Sequence, residues 1–500
     1  MVIAGRTASN QSSKMLEDRL ASPAMTQTQD RNAFTLLLPF LACPACGENG
    51  ESLEVSSEAL TCALCATRFP FFRSGKVNIP WLFSEPGTAR LEWKARYNGF
   101  LHANSVDLNR LRSARQVNHC SVTGRRRIDK LLLAHERYRT QITELLAPLE
   151  LDAIDWPGDS ANLLHGKLPK NQGLSSYNSN IFRDWAWNNG ENEALAGAVN
   201  RVLHADRRGR LGSLLTLGAG AGRLSYDLHR HHSPALSVVS DFNPLLMQIA
   251  SQVIQGESVS LYEFPIAPLN ESSFAVLREC RAPVRLDQSE IHFVLADALN
   301  PPFGEASFDT IVTPWLIDII PQNLREFVPR LNRLLRSGGV WVNTGSLAFF
   351  HRDESWCYSE EEVLEIVAEN GFEILASERR KLSYLESPHS AHGRTEKILS
   401  FSAKKIREVE PEGEYFYVPD WILDTSRPVP ATIESTLSAS HHMLISQILA
   451  AIDGRRTIDQ IGRLVARHYD LGTEESIHAV QRVLVDAWED SHIGKADGSL

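Results

Sequence analysis

The chain of 500 residues carries 51 Lys and Arg against 61 Asp and Glu, a formal net charge of −10, with 43% hydrophobic and 22% charged residues. That length exceeds what one core organises and predicts several domains; the ordinary composition excludes a fibrous or largely disordered chain, and the acidic balance argues against a chain-wide footprint for nucleic acid. No run approaches the roughly 18 apolar residues of a spanning helix and the N-terminus lacks a signal-peptide core. The expectation is a cytoplasmic protein, away from membranes, whose seven cysteines are reduced or metal-bound.

Residues 1–33, rich in Ser, Gln and Thr, have no apolar periodicity and read as a flexible leader. Residues 34–84 read as short β segments with Phe69, Phe71 and Phe72 for a very small core, a unit that needs a staple. Cys43-Pro44-Ala45-Cys46 and Cys62-Ala63-Leu64-Cys65 supply one. The two C-x2-C knuckles, separated by the fifteen residues from Gly47 to Thr61, match the spacing of a four-thiolate zinc site, and a closed tetrahedral site of that kind is structural. Residues 85–160 read as a helical spacer or cap, with Leu131, Leu132, His135, Ile142, Leu145 and Leu146 near helical spacing. The short basic run Arg125-Arg126-Arg127 reads as a solvated helix face.

Residues 161–405 carry the chemistry. The apolar run Ser213–Leu217 leads into Gly218-Ala219-Gly220-Ala221-Gly222-Arg223 and then an amphipathic helix, the strand, glycine turn and helix that let a nucleotide lie against the backbone. A second run, Leu236–Ser240, ends in Asp241, nineteen positions after Gly222, where a carboxylate can accept hydrogen bonds from both ribose hydroxyls. A third, Ile291–Leu295, ends in Ala296-Asp297-Ala298, where such folds hold adenine. Two further runs, Ser307–Val312 and Leu335–Asn343 with its Leu-x-x-Gly-Gly turn, complete a doubly wound α/β domain that fits an S-adenosylmethionine-binding methyltransferase fold better than a dehydrogenase. Thr216 departs from the acidic residue that many such enzymes place two positions before the first glycine.

Over most of Phe182 to Ser402 the sequence resembles the carnosine N-methyltransferase family. The resemblance is carried by Phe182-Arg183-Asp184-Trp185, the glycine loop through Leu224, Leu261-Tyr262 (followed here by Glu263 where the family has proline), Leu316-Ile317-Asp318 and the segment Gly345 to His351. It implies that Arg183 and Arg223 serve the cofactor with Gly218, Gly220, Gly222, Asp241, Asp297 and Ala298. It also implies that Asp318 orients the acceptor imidazole and takes its proton, with His351 and Tyr384 lining the pocket. Where the family has aromatic residues after Tyr384, His392-Gly393-Arg394-Thr395 stands here, which leaves the acceptor open.

Residues 34–84 resemble the small zinc ribbons of some bacterial and tRNA-associated methyltransferase systems, with Ile79-Pro80-Trp81-Leu82 as exit strand. Residues 411–500, an extended Tyr415–Val418 followed by helices around Met443, Ile458 and Ser476, resemble winged-helix modules that bind leader peptides. The function expected is N-methylation of an imidazole or similar nitrogen in a histidine-containing small molecule or peptide, with S-adenosylmethionine and structural Zn2+ as cofactors. A peptide or protein partner at the C-terminal module is the further expectation. An RNA or protein methyltransferase that recruits its acceptor through the ribbon, or a non-catalytic nucleotide-binding scaffold, are the alternatives.

Overall fold

The five runs read as strands are buried on both faces, the pattern of a parallel sheet covered by helices on either side. In the computed structural model they are β5 (Ser213–Leu217), β6 (Leu236–Asp241), β9 (Ile291–Ala296), β10 (Phe308–Pro314) and β11 (Leu335–Gly345). Four shorter strands precede them, β1 (Leu53–Val55), β2 (Ala59–Cys62), β3 (Arg68–Ser74) and β4 (Val77–Leu82); β7 (Val259–Glu263) and β8 (Val276–Cys280) form a separate hairpin, and β12 (Phe372–Tyr384) and β13 (Arg394–Lys405) come last. The structure describes residues 36–47, 53–75, 77–117, 120–151, 173–206, 209–286, 290–349, 354–411, 426, 428 and 433–489; the expected leader, His351 and the Tyr415–Val418 segment lie outside them.

The eleven-stranded sheet runs β1-β2-β3-β4-β9-β6-β5-β10-β11-β13-β12. Strands β9, β6, β5, β10 and β11 are parallel, and β13 returns antiparallel between β11 and β12. The chain moves outward from β5 to β6 and β9, then crosses back to β10 on the other side, so β5 and β10 flank a topological switch point, where open α/β sheets bind ligands beyond their carboxyl ends. This is the doubly wound, Rossmann-like α/β architecture expected from the sequence.

The cysteine-bearing strands continue this sheet. Strand β4 pairs in parallel with β9, Trp81 opposite Leu295 and Leu82 opposite Ala296. Side-chain alternation carries across the join: Ile79, Trp81, Phe293 and Leu295 share one core, while Leu82, Val294 and Ala296 point into another.

Among the helices, α1 (Pro86–Gln116) and α2 (Val122–Leu146) pack on each other. In α2 the buried stripe is Ile128, Ala134, Tyr138, Ile142 and Leu146, while Leu133 is exposed. Three consecutive leucines span some 200° of a helix, and they cannot all face one core. After the short α3 (Asn178–Phe182), α4 (Glu191–Leu203), α5 (Arg223–His232) and α6 (Pro244–Ile254) precede or follow the first strands of the sheet. Then α7 (Leu324–Leu334) and α8 (Glu360–Glu369) bury Phe327, Val328, Leu331, Val363, Ile366 and Val367 with Leu215 and Leu217 of β5.

Residues 416–500 are a second unit, whose described part holds α9 (Ile433–Ala450), α10 (Ile458–Tyr469) and α11 (Thr473–Glu489) around Ile448, Ile461, Val465 and Val480. Thr457 and Gln460 form a capping box on α10, and a Cβ at Gly462 would stand 2.5 Å from Ile477, so the glycine lets α10 and α11 cross closely. Among the described residues no helix is long and apolar enough to cross a membrane.

Candidate functional site

The glycine turn after β5 runs through three left-handed positions, Gly218 (φ 66°), Gly220 (60°) and Gly222 (85°), a geometry that side chains with a Cβ resist. The three glycines differ in what surrounds them. A Cβ at Gly218 would lie 3.0 Å from Leu316, which comes from the loop after β10, and one at Gly222 would meet Ala250 at 3.1 Å and Ile254 at 3.2 Å on α6. At Gly220 nothing stands within 4 Å: the space is open, as a ligand lying on the backbone requires.

Asp241 closes the turn. Its Oδ2 accepts the Gly220 N–H at 2.8 Å and its Oδ1 the Asn243 N–H at 2.9 Å. The residue is 6% exposed, and burial, outweighing these bonds, pushes its carboxyl up to about 6. With about four lone-pair sites on a carboxylate, two backbone donors leave capacity for ribose hydroxyls.

Arg183 and Asp184 begin a π-helical turn, Arg183–Trp187, the kind of irregularity often found at functional sites. The turn is fastened to the glycine loop, since Trp185 Nε1 donates to the Ala221 carbonyl at 2.8 Å and Arg223 Nη1 donates to the Asp184 carbonyl at 2.8 Å. Arg223 also pairs with Asp227 at 2.9 Å and Glu193 at 3.4 Å, so its guanidinium joins α4, α5 and the π turn. Arg183 pairs with the buried Asp184 at 2.7 Å and lies 5.8 Å from the Trp315 ring.

Asp297 opens a turn after β9: its carbonyl accepts the Asn300 N–H at 3.2 Å and its Oδ1 the Leu299 N–H at 2.9 Å. Ala298, within the turn, packs against the core that contains Leu299 and Phe303.

Across the switch point lies Asp318, 5% exposed. Its Oδ2 accepts from the Ser346 hydroxyl at 3.1 Å and from the Ala348 N–H at 3.2 Å. Its Oδ1 is buried with no hydrogen-bond partner among the described residues, an arrangement that costs stability unless a ligand fills it. Burial raises the Asp318 carboxyl above the usual carboxylate range, against the pull of these bonds. Tyr384, at the end of β12, lies 5.1 Å from Trp315, ring to ring, and burial raises its phenol. Arg394 stacks over the Tyr384 ring at 4.4 Å and pairs with Glu396 at 2.9 Å.

Two residues that sequence reasoning missed belong here. Trp315 holds a left-handed backbone (φ 45°), costly for a tryptophan and typical of residues fixed for a purpose; its Nε1 donates to Glu396 at 2.9 Å, and a Cβ at Gly345 would stand 2.9 Å from its Cα. The raised phenol of Tyr177 reflects burial first and then the charges of Asp241, Tyr384 and Asp318, so one tyrosine feels both halves of the site. Neither Trp315 nor Tyr177 carried a local sequence signal.

A cavity of about 240 Å³ opens beside this cluster, lined by Phe182, Trp187, Glu263, Leu385 and Ser387 among others. Glu263, in the place of the family's proline, accepts from Arg278 at 2.5 Å and from Trp187 Nε1 at 3.1 Å. In the basic run, Arg125 Nε donates to the Cys120 carbonyl and Arg127 lies over the Phe274 ring.

The four knuckle cysteines come together. Cys43 and Cys65 sulfurs are 3.7 Å apart, as are those of Cys46 and Cys62, and all four lie within 4.8 Å of one another. A tetrahedron with Zn–S bonds of about 2.3 Å has edges of roughly 3.8 Å, so the donor set fits Zn2+ in type and spacing. Backbone N–H groups of Ala45 and Cys46 point at the Cys43 sulfur, and those of Leu64 and Cys65 at the Cys62 sulfur.

Residues 164–406 match the model of the carnosine N-methyltransferase family. A carnosine N-methyltransferase of Dictyostelium discoideum is 27% identical over 192 residues, 35% of this chain and 40% of that protein. The Drosophila melanogaster carnosine N-methyltransferase unmet is 26% identical over 265 residues, 48% of this chain and 56% of that protein. The chain thus spans about half the length of the curated relatives it matches. Among solved structures, the N-methyltransferase NodS of Bradyrhizobium japonicum with S-adenosyl-L-homocysteine aligns at 16% identity and a TM-score of 0.29, over 44% of this chain and 89% of that one.

Proposed function

We propose, from a central segment (164–406) that carries the signature of the carnosine N-methyltransferase family, that this protein is an S-adenosylmethionine-dependent methyltransferase acting on an imidazole nitrogen of a histidine-containing small molecule or peptide. The observation that carries the reading is Asp318, whose Oδ2 is held by Ser346 and Ala348 while its buried Oδ1 has no partner among the described residues.

S-adenosylmethionine, when bound, supplies a methyl group on a sulfonium. Gly220 would leave the backbone open for it, Asp241 would accept from its ribose hydroxyls, Asp297 and Ala298 would flank its adenine, and Arg183 would meet its carboxylate. Arg223 contributes by fixing the turn that carries Arg183. Methyl transfer is an in-line displacement, so the chain's task is to aim a neutral nitrogen lone pair. Asp318 Oδ1 accepts the N–H of one ring nitrogen, which fixes the tautomer and leaves the other nitrogen free to attack. As the ring becomes cationic, the carboxylate stabilises it and takes the proton, and a carboxyl raised by burial is better matched to that transfer. Tyr384 and Trp315 wall the ring, with His351 as a further wall. The four cysteines hold a structural Zn2+, and the C-terminal unit serves a peptide or protein partner, a reading supported by its resemblance to leader-peptide modules. The setting is cytoplasmic.

Calorimetric titration with S-adenosylhomocysteine, followed by a methyl-transfer screen over histidine, histidine dipeptides and histidine-containing peptides, tests the reading. Micromolar binding and one methylated acceptor are expected. A folded, zinc-loaded protein that binds no S-adenosylhomocysteine would overturn it.

A further inference from the structure

The first zinc knuckle runs alongside the loop that follows β9. The Ala42 N–H donates to the Pro302 carbonyl at 2.9 Å, the Gly304 N–H to the Phe40 carbonyl at 2.9 Å, and Leu41 bridges Phe303 in antiparallel fashion. At the tip, Asn300 Nδ2 donates to the carbonyl of Pro44, the residue between Cys43 and Cys46, at 3.1 Å. Asn300 is also the closing residue of the turn opened by Asp297. Below the surface, Cys43 and Cys62 share a core with Leu299 and Phe303 of the same loop and with Ala296 of β9. Two metal ligands and the adenine turn are therefore parts of one packed body, joined at the top by the bond from Asn300 to Pro44.

We infer that occupancy of the four-cysteine site and binding of the cofactor's adenine end are thermodynamically coupled through the Asp297–Asn300 turn, with Asn300 as the positioning residue. The inference rests on the cofactor assignment proposed above. With the sulfurs held on an ion, the Pro44 carbonyl is fixed, Asn300 is fixed against it, and the turn presents Asp297 and Ala298 in one conformation. Without the ion the knuckle loses its geometry, and the ligand must order the turn as it binds. Coupling of this kind is reciprocal: whatever factor zinc contributes to ligand affinity, the ligand returns to zinc affinity.

The full-length, zinc-loaded protein is challenged with a chromophoric chelator with and without saturating S-adenosylhomocysteine. Zinc retention is expected to tighten at least about 5-fold with the ligand, the lower end of typical couplings, and S-adenosylhomocysteine affinity of the zinc-depleted protein to weaken by the same factor. Asn300 is exposed, so Asn300→Ala and Asn300→Asp should keep the melting temperature and the zinc content while the coupling falls toward unity. Identical zinc retention with and without a ligand that binds overturns the inference alone. Full coupling surviving in both Asn300 variants overturns the route through the turn. Absence of S-adenosylhomocysteine binding to the loaded protein removes the proposed function, and the inference with it.

Discussion

Exchanging Asp318 for asparagine changes one atom in the site and leaves its shape. The backbone N–H of Ala348 is a fixed donor on the carboxylate's Oδ2, so the asparagine must turn its carbonyl oxygen toward Ala348 and Ser346. Its amide nitrogen then occupies the place of the unpartnered Oδ1, and a donor faces the ring N–H that an acceptor met before. A charge-assisted hydrogen bond of about 1.5–3 kcal/mol is lost, roughly a 10- to 150-fold fall in kcat/KM at about 1.4 kcal/mol per tenfold. The tautomer is no longer selected, so kcat should fall with it. The Asp318 carboxyl is raised by burial; in the folded state such a group favours its proton, and the stability it contributes is present below the unfolded value and lost as pH rises through the folded one. At neutral pH Asp318→Asn therefore removes a buried charge and should leave the melting temperature unchanged or higher. Steady-state methylation of a histidine dipeptide, S-adenosylhomocysteine titration and thermal melting of the same preparation measure the three quantities. Unchanged kcat/KM, or cofactor affinity falling in proportion to activity, would refute the reasoning.

The glycines should separate by role. Gly220→Ala, with open space at its Cβ, should cost about 1 kcal/mol of stability for its left-handed backbone yet weaken S-adenosylhomocysteine binding more than tenfold, whereas Gly222→Ala, pressed against Ala250 and Ile254, should lower the melting temperature first. A Gly220→Ala protein with intact ligand affinity would argue against a ligand on that backbone. Because burial pushes the Asp241 carboxyl up to about 6 and it must be ionised to accept from ribose, S-adenosylhomocysteine affinity should be flat above pH 6 and fall up to tenfold per pH unit below it; calorimetry showing no proton release on binding and no affinity loss between pH 7 and 5 would contradict this. In the ligand-free protein the sign is opposite, since a carboxyl raised above its unfolded value stabilises the fold in acid and loses that contribution as pH rises from about 4 through 6. Cys62→Ser, which removes one zinc ligand from a core shared with Val294, Ala296 and Leu299, should lower the melting temperature of the central sheet itself; a sheet that melts as before while only the ribbon loosens would count against the shared core.

Much of the site was readable because its signals are local. Glycines followed by arginine after an apolar run, and a carboxylate closing the next run, each reflect a backbone constraint met within a few residues, and β5, β6, β9 and the Asp241 contacts follow them. The pairing of β4 with β9 was not readable, because an exit strand buried on both faces looks the same whether it ends a ribbon or extends a larger sheet. The partners of Arg223 were likewise hidden. Asp227 lies one turn away in sequence, but the Asp184 carbonyl and Glu193 reach it only through the fold. Arg394 is engaged by Glu396 and the Tyr384 ring, contacts that no local pattern marks. Trp315 and Tyr177 escaped because neither residue type marks a cofactor loop, and their importance appears only when β10 and the segment before α3 converge.

The join between β4 and β9 also bears on how this protein would fail. Every residue of β9 from Ile291 to Ala296 is buried, and a strand so apolar, left at the rim of a sheet, is a template for pairing with another molecule. At the opposite rim β12 is long but carries Glu373, Glu378, Arg379, Arg380 and Lys381, charges that discourage a neighbour. At the β9 side no such charges exist; protection comes from the four ribbon strands, which hand the edge on to β1, only three residues long. Loss of zinc would loosen those strands and bare the β9 edge, so aggregation is expected to accompany the weaker ligand affinity of the depleted protein.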